Sequence, residues 1–297
     1  MCGCTRLGEI QMPMHQQVLN YKAHGKNISV NILQPGHLQK LQQIYAIDRQ
    51  QINIFASGSS ISRLNFSEDL LAQPAIFVNG SIALSAKYDF KSKVAYVISD
   101  ARFIEHAPQI FKTYYQAQPL FITQTVLEKI LELDSHLIEQ YQDHLYLIKP
   151  VDRPFHQPNA SFLSKLFSKK KLKLAEIQDS EIVLDLHRDP VIGVSLNICK
   201  GFVEAGTVAY VATQLAYSLG AKNIYLYGMD LINTHQPRFY ENQQNQAPCK
   251  LDKAVESRIV PSFDFLSAQY KHHNINVFNA SDISKNLFEH LEYRSVF

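Results

Sequence analysis

Short apolar runs recur along this chain, and nearly every one ends in small, polar or acidic residues before a stretch of helical period. Residues 27–33 (NISVNIL), 52–58 (INIFASG), 75–80 (AIFVNG), 94–100 (VAYVISD), 119–124 (PLFITQ) and 145–149 (LYLIK) read as strands. Residues 37–47, 81–88 (SIALSAKY), 101–115 (ARFIEHAPQIFKTYY, interrupted at Pro108) and 126–137 read as helices between them. Strands separated by helices need crossover connections, so the alternation predicts an α/β fold built on a doubly wound, mostly parallel sheet. In such sheets ligands collect beyond the carboxyl ends of the strands.

The pattern resumes in residues 201–231, GFVEAGTVAYVATQLAYSLGAKNIYLYGMDL. Gly206 and Thr207 open a helix of small apolar residues, Gly220 breaks it, and a strand follows that stops at Gly228-Met229-Asp230. Residues 259–273 then read as a helix and 275–281 as a closing strand. The strand ends share a chemistry: Ser57-Gly58-Ser59-Ser60, Val78-Asn79-Gly80-Ser81, Ile98-Ser99-Asp100 and Tyr227-Gly228-Met229-Asp230. Small residues let a ligand approach the backbone, and N–H groups at a following helix start hold anions. Four such ends in one chain point to a nucleotide-sized pocket.

Composition narrows the class. With 46% hydrophobic and 19% charged residues in 297, the chain is globular. A formal charge of only +2 argues against a general nucleic-acid binder. Cys2 and Cys4 form a C-x-C pair with no second cluster at zinc spacing, which favours no metal role. Residues 1–20 hold no apolar signal core, and no apolar run approaches the roughly 18 residues that span a bilayer. The expected location is the cytoplasm. We expect residues 1–26 to be an extension and residues 27–297 to form one domain, with an insertion near 155–180 and a mobile loop near 231–260, long for a compact domain. In the insertion Lys165, Lys169, Lys170, Lys171 and Lys173 interleave with Phe162, Leu163, Leu166, Phe167, Leu172 and Leu174. At helical spacing that makes an apolar stripe beside a basic face, suited to an anionic membrane surface or to a solvated exterior.

Several chemistries are excluded by missing motifs. There is no G-x-x-x-x-G-K-[ST] loop, no G-x-G-x-x-G after the first strand and no G-x-S-x-G elbow. No two aspartates stand two apart, so the Asp-x-Asp that holds a divalent metal on a nucleotide-sugar pyrophosphate is missing. A bound nucleotide's phosphate then needs backbone N–H groups, hydroxyls and Arg or Lys, which suits a monophosphate leaving group.

The runs FASGSS, VNGSIALS, YVISDARFI, GFVEAGTVAYVATQLAYSLG and GMDLINTHQPRFYEN resemble the Kdo III transferases of lipopolysaccharide core assembly, the WaaZ group, from about Ile52 onward. More distantly the plan is similar to bacterial sialyltransferases that use CMP-activated acidic sugars. The resemblance implies a Rossmann-like, GT-A-variant-like glycosyltransferase, with CMP-Kdo (CMP-activated 3-deoxy-manno-octulosonic acid) as donor and no cofactor. It also implies a Kdo residue on lipid A as acceptor and peripheral attachment to the inner membrane. It places Gly58, Ser59, Ser60, Asn79, Gly80 and Ser81 around cytidine and ribose, with Arg102 and Asp230 also on the donor side. Gly206 and Thr207 face the Kdo carboxylate or the phosphate, and Arg238 and Tyr240 face the CMP phosphate. Asp100, Asp230, His235 and Glu241 are candidates for the base, with Asp100 first. The rivals are another CMP-sugar transferase acting on a different surface glycan, and a non-catalytic nucleotide- or glycan-binding protein.

Overall fold

The computed structural model describes residues 18–23, 25–47, 50–156, 172–232, 236–241 and 254–295. The chain begins with an antiparallel pair, β1 (Val18–Ala23) and β2 (Lys26–Ile32). Then follow α1 (Pro35–Ile44), β3 (Gln51–Phe55), α2 (Glu68–Ala72), β4 (Ala75–Val78), α3 (Leu84–Lys87) and β5 (Lys93–Ile98). Next come α4 (Ala101–His106), α5 (Pro108–Tyr114), β6 (Leu120–Ile122), α6 (Gln124–Leu133), α7 (Ser135–Tyr141) and β7 (Leu145–Leu147). A separate antiparallel pair, β8 (Ile182–Asp185) and β9 (Ile192–Ser195), precedes α8 (Val208–Ser218) and β10 (Asn223–Tyr227). The chain closes with α9 (Val260–His272), β11 (Asn276–Asn279) and β12 (Glu292–Tyr293).

Ten strands form one sheet in the order β1-β2-β7-β6-β5-β4-β3-β10-β11-β12, parallel at every pairing except β1 with β2. The doubly wound α/β expectation is met. Three readings are corrected and one element is added. Val18–Ala23 is an edge strand of the sheet, so the ordered domain begins before Asn27. The helix expected over 126–137 is two helices, because Asp134 turns extended and its carboxylate accepts the His136 N–H to start α7. The strand at 276–279 is not the last, since β12 pairs outside it. The β8–β9 pair was not foreseen at all. Of the insertion, residues 157–171, and with them Lys165, Lys169, Lys170 and Lys171, lie outside the described residues; Lys173 is exposed at the start of a short 3-10 turn. Cys2 and Cys4 lie outside them too. Among the described residues no helix is long and apolar enough to cross a membrane.

Both faces of the central strands are covered, which is why those strands read as unbroken apolar runs. Ile52, Ile54, Ile76, Val78 and Val97 face a core shared with α1, α8 and α9. Phe55, Phe77, Tyr96 and Ile98 alternate to the other side and meet α4 to α7. Helix α8 is buried from Ala209 to Ala216, and its alanines let it lie close over β3 and β4. Inside it, the Gln214 amide is fully used: Oε1 accepts from Ser195 N and Val203 N at 3.0 Å each, and Nε2 donates to Val203 O and Tyr210 O. That clamp fixes the path from β9 to Gly206.

From β3 the sheet grows outward through β4, β5, β6 and β7, and the chain then returns to lay β10 on the other side of β3. The strand order reverses between β3 and β10, and the crevice beyond their carboxyl ends is the expected ligand position.

Candidate active site

At the reversal point Asp230, three residues after β10, gathers the strand ends. Its Oδ2 accepts from Ser60 N at 2.7 Å, and its Oδ1 accepts from the hydroxyls of Ser60 at 2.6 Å and Ser281 at 2.5 Å. Ser59 Oγ lies 3.4 Å from Oδ2 and donates to Gln236 Oε1 at 3.0 Å. One carboxylate thus ties the loop after β3, the end of β10 and the turn after β11. The closeness depends on Gly58. A Cβ there would lie 2.4 Å from the Asp230 carboxyl carbon and 2.5 Å from Gly228 O, although the φ of −62° suits any residue. Gly228, in contrast, has a φ of +68°, where glycine is favoured.

Residues 236–241 return over the same edge. Phe239 N donates to Ser57 O at 3.2 Å, and the Tyr240 ring covers the Cα of Gly80 so closely that a Cβ would lie 2.1 Å from Cε1 and Cζ. The Tyr240 hydroxyl bonds with the side chains of Ser57 and Arg238, and burial pushes its pKa up to about 12. It is therefore a protonated donor at neutral pH. Arg238 Nη1 meets Glu241 Oε1 at 2.5 Å, and the Glu241 side chain is only 6% exposed. Beside them Asn79 has a φ of 48°, and among the described residues its buried Oδ1 has no hydrogen-bond partner. A side-chain amide held in a rare backbone state at a crevice is a recurrent feature of ligand sites.

Across the crevice lies the start of α8. The helix runs back to the amino end of β10 through Gly220, so Thr207 stands at the carboxyl edge. Thr207 Oγ1 accepts from Ala209 N at 3.4 Å, and Gly206 has a φ of +87°. Helix N-terminal N–H groups favour anions. Arg258 reinforces that charge: its Nε lies 3.9 Å from where a Gly206 Cβ would stand. At the end of β5, Asp100 caps α4, accepting Arg102 N at 2.9 Å, and pairs with the Arg102 guanidinium. Burial pushes the Asp100 carboxyl up, but the bonds and charge of Arg102 outweigh that and hold it below its usual range. Among the described residues no group of three or more His, Cys, Asp or Glu is placed to hold a metal ion. A cleft of about 1120 Å³ between the end of α1 and the start of β10 lies at the opposite edge of the sheet and touches none of these residues.

The model of the 3-deoxy-D-manno-octulosonic acid transferase WaaZ family matches residues 37–293. The chain belongs to the WaaZ family of Kdo transferases. A relative in Escherichia coli K12, described as a probable 3-deoxy-manno-octulosonic acid transferase, is 26% identical over 243 residues, 77% of each chain. Its counterpart in Salmonella typhimurium LT2 is 26% identical over 258 residues, 86% of this chain and 89% of its own. The solved sialyltransferase CstII from Campylobacter jejuni, in complex with cytidine-5'-monophosphate, aligns over 83% of this chain and 85% of its own at 14% identity, with a TM-score of 0.40.

In this WaaZ-family chain the strand-end residues fall into two groups. Gly58, Gly80, Asn79, Asp100, Arg102, Gly206, Thr207, Asp230, Arg238, Tyr240 and Glu241 all stand at the carboxyl edge of the sheet or on segments packed against it. Ser60 and Ser81 stand there too but turn inward. Ser81 Oγ is buried, its single proton shared between Phe55 O and Val78 O, and it accepts from Val78 N. Ser60 is 2% exposed and held by Asp230. Both hydroxyls brace the loops in this structure. Asp230 is held by Ser60 and Ser281, and Glu241, 6% exposed, by Arg238; Asp100 is paired too, with Arg102, but at 41% exposure it is open to a substrate. His235 lies outside the described residues. Arg258 was missed by sequence reasoning; it falls in the long segment near 231–260 read as a mobile loop, far from any strand end and with no local signal.

Proposed function

We propose that the chain transfers Kdo from CMP-Kdo to a Kdo residue of the lipid A inner core. The observation that carries the reading is that a half-buried phenol bonded to Arg238 stands at the carboxyl edge of the sheet, where the start of α8 and Arg258 also stand. That set offers hydrogen-bond donors for one phosphate and one carboxylate, the two anionic groups of CMP-Kdo, and family membership supplies the sugar.

In the reaction the bond from the anomeric carbon to the phosphate oxygen breaks and its electron pair leaves with CMP. The acceptor hydroxyl oxygen bonds to the anomeric carbon and its proton goes to a base. Tyr240 and Arg238 donate to the departing phosphate, where charge grows, and lower the barrier. Gly206, Thr207 and Arg258 take the Kdo carboxylate. Ser59 and Asn79 contact cytidine and ribose, with Gly58, Gly80 and Asp230 shaping that wall. Asp100 serves as base: it stays ionised at neutral pH, and Arg102 orients it. Side-chain and backbone donors meet the phosphate in place of a metal ion, so EDTA should leave turnover unchanged. Lys165, Lys169, Lys170, Lys171 and Lys173 hold the enzyme peripherally on the cytoplasmic face of the inner membrane, where the acceptor is anchored.

The test is a transfer assay with enzymatically generated CMP-Kdo and Kdo-bearing lipid A, read by mass. A product heavier by one Kdo is expected, with CMP-sialic acid a poor substitute. Release of no CMP with any acceptor bearing Kdo would overturn the reading.

A further inference from the structure

Residues 279–284 read NASDIS and form the turn that leaves β11 at the carboxyl edge. Short polar side chains in such a turn bond readily to backbone. Asn279 does so: its Oδ1 accepts from Ser281 N at 2.9 Å and its Nδ2 donates to Ser281 O at 3.2 Å, which holds the turn tight. Ser281, Asp282 and Ser284 instead reach away from it, toward the crevice. Ser281 Oγ donates to Asp230 at 2.5 Å. Asp282 takes the Arg63 guanidinium through both oxygens, at 2.8 and 2.9 Å. Ser284 Oγ accepts from Leu231 N at 2.7 Å. Both serines and Leu231 are buried.

Arg63 closes the 3-10 turn Ser59–Arg63, which also carries Ser59 and Ser60. Ser60 holds Asp230, Ser59 donates to Gln236, and Ser57 O accepts from Phe239 N. The segment with Arg238 and Tyr240 is therefore bonded to the loop after β3, and its origin at Asp230-Leu231 to the turn after β11. Arg63–Asp282 ties those two supports to each other. That pair faces solvent and adds little to stability. One hydrogen bond is a small part of a domain's stability, whereas a reacting group displaced by about 1 Å costs on the order of 100-fold in rate. We propose that Ser284 and Asp282 are positioning residues, a clasp that sets the Arg238–Tyr240 segment from outside the crevice. That this segment acts on a departing phosphate rests on the Kdo-transfer reading; the clasp itself is tested without the donor.

The first experiment is amide hydrogen exchange on the full chain, wild type against Ser284→Ala. Alanine leaves the buried Leu231 N–H without its acceptor, so peptides covering 229–232 and 236–241 should exchange roughly 5- to 30-fold faster, while those over β4 and β5 keep wild-type rates. Unchanged exchange at 236–241 would overturn the clasp. So would faster exchange throughout the sheet, which assigns Ser284 to the fold alone. Where Ser284→Ala does not fold, the solvent-facing Asp282→Asn carries the same test, with an effect of about threefold. The second experiment is a cycle of transfer rates with Tyr240→Phe. Ser284→Ala should lower kcat about 10- to 100-fold with donor KM within about threefold of wild type. The double variant should lose much less than the product of the two single losses, because both act on one contact. Losses that simply multiply would refute positioning. A wild type that transfers no Kdo would sink the Kdo-transfer reading, and the exchange result would still decide the clasp.

Discussion

Gly80→Ala isolates the contact that seats the leaving-group tyrosine. No positive φ is imposed at this position, so alanine fits the backbone and the conflict is purely one of space. Its Cβ would lie 2.1 Å from two Tyr240 ring carbons and 2.7 Å from a third. Ordinary carbon contacts are about 3.5–4.0 Å, so the ring must retreat by roughly 1.5 Å. If it stays buried, overpacking of this kind destabilises by about 1–3 kcal/mol. If it swings out, the fold loses about the same through lost burial. In either case the hydroxyl leaves Ser57 and Arg238, and a displacement of this size costs on the order of 100-fold in turnover. Transfer would be followed by mass and by CMP release, and stability by thermal melting, where a drop of several degrees is expected. Truncating the ring in the double variant Gly80→Ala/Tyr240→Ala should leave alanine at 80 almost without effect on stability relative to Tyr240→Ala alone, while turnover stays low. Turnover of Gly80→Ala within threefold of wild type, or an undiminished alanine penalty in the truncated background, would refute the reasoning.

Tyr240→Phe keeps the ring and removes the donor, so kcat should fall by about 10- to 1,000-fold with little change in donor KM; a pure loss of affinity would count against a role on the departing phosphate. Asp100→Asn retains an oxygen to cap α4 and removes only the charge, so the melting temperature should hold near wild type while turnover drops by orders of magnitude and CMP binding stays intact; near-normal turnover would remove Asp100 as base. Burial raises the Tyr240 phenol from 10.0 to about 12, so its contribution to stability is complete below pH 10 and is lost as pH rises toward 12. Wild type should therefore lose more melting temperature between pH 10 and 12 than Tyr240→Phe does, and equal losses would contradict the burial seen here.

Much of the architecture was legible residue by residue. Element type follows from side-chain spacing, a local property: β3, β4 and β5 are continuous apolar runs because both sheet faces are covered, and α8 is rich in alanine because it lies close over β3 and β4. Asp230 as the organiser of the facing loop was also within reach, since a carboxylate at a strand end often caps a loop through backbone N–H groups, as Asp230 does with Ser60 N. The hydroxyl partners of Ser60 and Ser81 were not legible, because a hydroxyl at a strand end reads alike whether it turns toward a ligand, to a distant carboxylate as in Ser60 or back to a carbonyl as in Ser81.

The kind and order of the secondary elements, the absence of phosphate loops and the family itself are properties of the one-dimensional chain. Which strand lies beside which is not, because β10 meets β3 after about 170 intervening residues and no local pattern encodes a partner so far away. The same distance hides the need for glycine at Gly58 and Gly80, whose neighbours Asp230 and Tyr240 arrive only when the sheet closes. Arg258 beside Gly206 belongs to this second kind, since the placement of charge is a matter of three-dimensional neighbours.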